Sequence, residues 1–440
     1  MSQHISHNKI THKRRTSNNM KPQAYINRLK QAAKHNQYYI LSSLRWLVLS
    51  SLTGLIVGAF SSAFSWCMTT ATNLRLAHDW LLFLLPIGGL IIVFFYHIAH
   101  MENDKGTNQV LTAVRGVNNI PFRLAPLIFG STVITHLFGG SAGREGAALQ
   151  LGGSIGDKIG RVFRLDDGDR KVMVMCGMSA AFSALFGTPM AAAIFPLEVA
   201  SVGIMQYSAL LPCIFSSLIA SQFAATMGIA PEAFVIHGIP AFTLIPALKI
   251  MLVAALCGVV STGFCFVLSY THKKYAQFFK NPYIRIVVAG VLIIALSLLL
   301  QTRDYNGAGI PVIERAMEGD VVWYAFLAKI IMTALTLGAG YRGGEIVPSF
   351  FIGATLGCLV GHLLGISPSL CAAVGMISLF CGATNCPLAS MLIGFELFGF
   401  HGVYYILIAV AVSYAVSGYR GLYQQQEIVY SKYKATHHKA

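Results

Sequence analysis

The sequence predicts an all-α polytopic membrane protein whose two halves repeat and whose broken helices meet at one point. Three observations predict it. The 440 residues are 55% hydrophobic and only 11% charged, whereas soluble domains carry about 25% charged residues. Apolar runs of bilayer-crossing length recur along the chain. Chemistry-bearing residues also recur in the same order about 200 residues apart, the kind of self-similarity that identifies a repeat before any fold is named.

The apolar runs lie near 44–71, 80–97, 122–138, 172–195, 207–227, 248–269, 286–300, 323–337, 349–364, 370–381, 387–398 and 403–416. They give about ten to twelve membrane segments, several of them short or broken by Gly and Pro. One transport domain over 41–425 accounts for all of them, leaving residues 1–40 and 426–440 as short polar tails. Residues 1–40 carry eight basic side chains, from Lys9 to Lys34, and the first acidic residue is Asp79. This charge of a +15 chain reads as a cytoplasmic tail that obeys the positive-inside rule, with some pull toward anionic lipid heads. Nucleic acid is not an expected partner, and the tail is too polar to be a cleaved signal peptide. The nine cysteines are scattered through apolar segments without a C-x-x-C pair, and no H-E-x-x-H occurs. Neither a disulfide framework, a metal nor a cofactor is expected.

The repeat pairs three features. Gly187-Thr188-Pro189 leads to Glu198, as Asn385-Cys386-Pro387 leads to Glu396. Glu145 is followed by Gly152 and Gly156, as Glu345 is by Gly353 and Gly357. Gly106-Thr107-Asn108 parallels Gly309-Ile310-Pro311. Interrupted helices at matched positions of two halves point to a transporter with a midplane ion site. The breaks at 105–108, 139–146 and 343–348 should therefore converge.

Glu145, in Gly143-Arg144-Glu145-Gly146, follows an apolar run through Phe138. A carboxylate at membrane depth marks a functional site, and a helix starting there would aim free N–H groups and its positive dipole end at an anion. If the carboxylate competes for those donors, its protonation frees the site. The competing interpretation is a helix cap paired with Arg144. Glu345 is a second carboxylate at such depth, and Ile346 and Val347 can offer N–H groups from the other side. Thr107 offers a hydroxyl, though an N-cap is its ordinary use. Tyr423 could be a membrane-belt aromatic, and Glu198 and Glu396 structural groups at helix ends. Gly139-Gly140-Ser141-Ala142-Gly143 also matches a serine-hydrolase elbow, with His136 near. That elbow requires a strand before the serine, and here a helix is expected.

Gly143-Arg144-Glu145-Gly146 resembles the G-[KR]-E-G-P signature of CLC chloride channels and transporters. Gly344-Glu345-Ile346-Val347-Pro348 is similar to the family's G-x-F-x-P stretch, 187–198 to its post-signature helix, and the setting of Tyr423 to its final-helix tyrosine. The resemblance runs from about Trp46 to Tyr423. It implies the CLC fold, two inverted-topology repeats of about 41–228 and 243–425. It implies an inner-membrane homodimer with one anion pathway per subunit and no C-terminal regulatory domain. It implies halide transport coupled to protons, with Glu145 as the gate and Glu345 and Glu198 as further gating or proton candidates. Thr107, Arg144, Gly146, Ile346, Val347 and Tyr423 become the anion contacts. Ala147 replaces the signature Pro, Thr107 stands for the family's serine, and Val199 stands where exchangers carry an inner glutamate. The missing serine, the missing inner glutamate and the added Glu345 look like the fluoride-exporting branch. Thr107 nonetheless keeps a hydroxyl suited to chloride, so both halides stay alternatives, as does a passive channel in which Val199 replaces the proton acceptor.

Overall fold

The computed structural model describes residues 22–117 and 119–434. The basic residues up to Lys21 lie outside them. Internal contacts divide the chain into Met1–Trp46 and Leu47–Ala440. In the first unit residues 22–46 are helical, so the tail expected to end at residue 40 becomes regular at Pro22.

The first half runs through α1 (Pro22–Ala77), α2 (Leu85–Ile98), α3 (Thr107–Val114), α4 (Leu124–Leu137), α5 (Glu145–Val162), α6 (Asp167–Phe186), α7 (Pro189–Val199) and α8 (Leu210–Thr226). The second half repeats the sequence of long and short helices: α9 (Leu244–Phe278), α10 (Pro282–Leu299), α11 (Ile310–Glu318), α12 (Ala325–Ala339), α13 (Ile346–Leu364), α14 (Pro368–Thr384), α15 (Pro387–Phe398) and α16 (Val403–Val416). Among the described residues, six helical stretches are long and apolar enough to cross a membrane. Several of the remaining helices are shorter because they stop where the halves meet.

The run expected over 172–195 is two helices. Gly187 adopts the left-handed conformation, φ 69°, and caps α6, while Pro189 opens α7. The second half breaks in the same place: Asn385, φ 58°, ends α14 and Pro387 opens α15. An apolar run continues across such a break because both helices are buried. Only the backbone requirement, φ above zero followed by a residue without N–H, marks it. By contrast, α5 escaped the list of apolar runs because it carries Gln150, Asp157 and several glycines. Fifteen of its 18 residues are buried, so protein and not lipid is its solvent.

Small residues let the helices of each half touch. A Cβ on Gly152 would lie 2.1 Å from the Gly177 carbonyl oxygen, and one on Gly156 2.2 Å from that of Met173. The equivalents are Gly353, 2.3 Å from the Gly375 oxygen, and Gly357, 2.0 Å from that of Cys371. Backbone-to-backbone contact of this kind drives helix association where lipid offers no hydrophobic advantage. The C-terminal tail is not free of the domain. Glu427–Ile428 pairs in parallel with Ser201–Val202, and Lys432 Nζ donates to Asn385 Oδ1 at 2.6 Å.

Gly152→Val places two methyl groups into the α6 backbone. We expect α5 and α6 to separate at a cost of about 1–3 kcal/mol or more, read as a lower unfolding temperature and broadened gel filtration in detergent. A Gly152→Val protein as stable as the parent would show that the helices need no such approach.

Candidate ion site between the repeats

All three expected breaks converge. Gly143 N–H donates to the Gly344 carbonyl and Gly344 N–H to that of Gly143, each at 2.7 Å. This two-residue antiparallel bridge sits immediately before α5 and α13, so it sets both helix N-termini against each other. The glycines are needed for closeness: a Cβ on Gly344 would lie 2.5 Å from Gly146 N, and one on Gly146 2.9 Å from Gly344 Cα. The N–H groups of Ile346 and Val347 belong to the first turn of α13, where a helix has no internal acceptors to offer. Both residues are fully buried.

Glu145 is buried, 1% exposed. Its Oε2 accepts from Arg144 N at 3.0 Å, and its Oε1 lies 3.4 Å from Arg144 Nε. The carboxylate thus holds one backbone donor at the start of α5, and it is also paired with Arg144. The Arg144 guanidinium is committed elsewhere, with Nη2 donating to Glu232 Oε1 at 2.7 Å. The guanidinium is thus held by two carboxylates.

Thr107 is not an N-cap. Gly106, φ 61°, occupies that position, and Thr107 is the first residue of α3 without a capping bond. Its hydroxyl is turned inward, 3.4 Å from the Gly146 carbonyl. Gln150, one turn into α5, donates from Nε2 to Thr107 Oγ1 at 3.3 Å and to Gly146 O at 3.1 Å. It thereby joins α3 to the start of α5. Glu345 Oε2, Gln150 Oε1 and Tyr423 Oη are buried without a hydrogen-bond partner among the described residues. A Cβ built on Gly146 would meet both Glu345 Oε2, at 3.1 Å, and Thr107 Oγ1, at 3.4 Å, so these groups share one small space. The loop before α3 is held by Asp104, whose Oδ1 accepts from Gly106 N at 3.1 Å and whose Oδ2 accepts from Arg342 Nη1 at 2.8 Å.

The sequence reading missed Gln150, Asp104, Arg342 and Glu232. Gln150 could have been found, because it stands four residues after Gly146 on the helix face that starts at the signature. The other three are joined by long-range pairs and left no local signal.

Glu198 does not reach this space. Its carboxylate accepts from Leu388 N at 3.0 Å and Ala389 N at 2.8 Å, capping α15. Glu396 returns the same pair of bonds to α7, through Met190 N at 2.8 Å and Ala191 N at 2.9 Å. Ser141 Oγ bonds Thr333 Oγ1 at 3.1 Å, while His136 Nδ1 donates to the Thr132 carbonyl at 3.0 Å. A helix, not a strand, precedes the serine, so the hydrolase elbow is not formed.

Two cavities reach the site. One of about 640 Å³ is lined by Thr107, Gln150, Arg342, Gly343 and Glu345 among others. The second, of about 250 Å³, is lined by Arg144 and Glu232 among others. Arg144, the neighbour of Glu145, lines the second, and Glu345 lines the first. Two repeated halves, paired helix N-termini and a buried carboxylate beside them define a polytopic ion transporter.

The chain belongs to the voltage gated chloride channel family, whose model matches residues 88–418. It is similar to a chloride/fluoride channel protein of Pseudomonas syringae pv. tomato, 35% identical over 405 residues that cover 88% of each chain. An H(+)/Cl(-) exchange transporter ClcA of Vibrio cholerae is 23% identical over 393 residues, 80% of this chain and 81% of that protein. Among solved structures, a CLC-type fluoride/proton antiporter superposes with a TM-score of 0.85 at 32% identity, over 89% of this chain and 99% of the other. A slow cyanobacterial Cl⁻/H⁺ antiporter, at 19% identity and TM-score 0.75 over 85% and 94%, shares the fold. The chain is a multi-pass membrane protein built on the inverted-repeat architecture of that family.

Removing the Glu198 carboxylate leaves two N–H groups of α15 unsatisfied, which costs about 1–3 kcal/mol. We expect Glu198→Ala and Glu396→Ala to lower thermal stability in detergent by similar amounts, because the two caps are equivalent. Undiminished stability of Glu198→Ala would remove the capping role.

Proposed function

We propose that this protein exchanges a halide, chloride or fluoride, for a proton across the inner membrane, with Glu145 as the gate. One observation carries the reading: the Glu145 carboxylate already holds the Arg144 N–H, 3.0 Å away, at the start of a helix that meets a second helix start. An anion at that point must displace it, and a protonated Glu145 is displaced at least cost. Proton uptake and anion entry then become one event. Glu345 takes the proton on the other side. Its Oε2 has no donor, and a buried carboxyl oxygen in that position is satisfied by a proton of its own. When protonated it becomes a donor to the ion. The anion contacts are the first-turn N–H groups from Arg144 to Gly146 and of Ile346 and Val347, together with the Thr107 and Tyr423 hydroxyls. The names borne by the relatives, among them a chloride/fluoride channel protein and a fluoride/proton antiporter, support a halide and a proton as the two ions. Two copies form the working unit, each with its own pathway, and the basic first 40 residues face the cytoplasm.

Purified protein in proteoliposomes, given fluoride or chloride with and without a proton gradient, tests this directly. A proton gradient should drive halide uphill, and the reversal potential should shift with it. A halide flux indifferent to the proton gradient would leave a passive channel, the behaviour suggested by Val199 at the inner position.

Glu145→Gln cannot exchange a proton. We expect its proton movement to fall to background while anion flux persists, read by simultaneous halide and pH electrodes. Proton coupling that survives in Glu145→Gln would take this residue out of the mechanism. Glu345→Gln should likewise lose proton movement and keep anion flux, and normal coupling there would discard its role.

A further inference from the structure

The segment that joins the two halves, residues 227–243 between α8 and α9, contains no helix or strand, yet it is pinned to both. Glu232 N–H donates to the Phe186 carbonyl at 3.0 Å, at the end of α6. Phe234 N–H donates to that of Leu397 at 2.8 Å, in the last turn of α15. Pro231 sits against the turn at Gly187, where an added Cβ would lie 2.3 Å from Pro231 Cβ. The backbone on both sides of Glu232 is therefore fixed. Its side chain returns to the start of α5, where Oε1 accepts from Arg144 Nη2 at 2.7 Å.

Arg144 serves two carboxylates unequally. The bond to Glu232 is short and charge-assisted. The contact of Nε with Glu145 Oε1, at 3.4 Å, is beyond the usual length of such a bond. The better contact thus belongs to the linker and the poorer one to the gate. Glu145 is 1% exposed, whereas the Glu232 side chain keeps 23% of its surface and borders the smaller cavity. The other charged or titratable side chains lining that cavity are Arg75, His136, Arg303 and Asp304. Arg303 pairs with Asp79 at 3.3 Å, Asp304 with Arg315, and His136 Nδ1 bonds the Thr132 carbonyl. Arg75 lies against Gly307, where an added Cβ would be 2.7 Å from its Nη1. Among the described residues, Arg144 is the ion-pair partner of Glu232.

We infer that Glu232 is a positioning residue for the gate. It draws the Arg144 guanidinium toward the linker and so leaves the Glu145 carboxylate free to quit its seat. This rests on the reading of Glu145 as the gate of halide–proton exchange. A guanidinium offers its donors in a rigid fork that fits one carboxylate with two bonds. With Glu232 neutral, that fork is available to Glu145 alone. The ionised gate is then seated more firmly, and transport needs a higher proton concentration to release it.

Glu232→Gln keeps the shape and the acceptor but removes the charge. Crystals of it should show Arg144 turned to Glu145, with two guanidinium nitrogens within about 3 Å of the carboxylate. In proteoliposomes the proton concentration for half-maximal halide transport should rise about tenfold, one pH unit toward acid. The rise should vanish when Glu232→Gln is combined with Glu145→Gln, because no gate charge is left for Arg144 to hold. A linker tie without an electrostatic role predicts otherwise: the amide oxygen would hold Arg144 as before, and neither geometry nor pH response would change. Either unchanged result in Glu232→Gln, or a rise that survives in the double variant, would overturn the inference. Glu232→Asp draws the carboxylate back by one methylene and guards against a folding defect. It should give a smaller rise, and an unshifted response there would overturn the inference too. Arg144 turned to Glu145 in crystals of a Glu232→Gln protein whose parent moves no halide would instead overturn the transport reading, and the division of Arg144 between two carboxylates would stand.

Discussion

Two hydrogen bonds between glycines hold the functional part of this molecule together. Gly143 and Gly344 exchange N–H and carbonyl at 2.7 Å each way; Arg144, Glu145, Gly146, Glu345, Ile346 and Val347 lie within three residues of that bridge, and Thr107 reaches Gly146. Irregular backbone at membrane depth must satisfy its polar groups inside the protein. Here the two irregular segments satisfy one another. The next N–H groups along each chain belong to two helix starts, where a helix has no internal acceptors and where anions in general bind. A side chain at Gly344 or Gly146 would part the segments, since the space beyond each Cα is already backbone. The same contact that assembles the fold therefore creates the site.

The repeat supplies the remaining stiffness by reciprocity. Glu198 caps α15 and Glu396 caps α7, so each half fastens a helix of the other with a buried carboxylate. Within each half, glycine at two successive turns presses α5 on α6 and α13 on α14. Such contacts tolerate little sliding, because carbonyl oxygen already fills the place of a missing methyl. A frame fixed this way suits the proposed gate, in which a single side chain, Glu145, is the part that moves. Swinging one carboxylate away from an N–H disturbs two or three polar contacts, whereas shifting α5 would break a whole column of them.

The sequence made the halves, the breaks and the chief carboxylates legible because each rests on residue type at a fixed interval. Glycine pairs at 152 and 156 match those at 353 and 357, and Pro189 to Glu198 matches Pro387 to Glu396. What it hid depended on direction and distance. Thr107 reads as an N-cap by type, but Gly106 takes that place, and Gln150 reaches across 43 residues to hold the freed hydroxyl. Glu198 reads as a structural group at a helix end or a proton candidate alike until its partners, 190 residues away, are known. The break inside 172–195 was invisible to hydropathy because burial on both sides keeps both helices apolar.

The two carboxyl groups differ in the company they keep, and that difference gives the site a direction. Glu145 has an N–H and a guanidinium beside it, partners suited to a charged carboxylate. Glu345 Oε2 has neither, and it faces the larger cavity with Thr107 and Gln150. In the exchange proposed above, a proton leaving Glu145 would restore its bond to Arg144 and close the route past it, and a proton leaving Glu345 would withdraw a donor from the ion. Such coupling would need no large motion of the helices, since both groups border the same pair of helix starts.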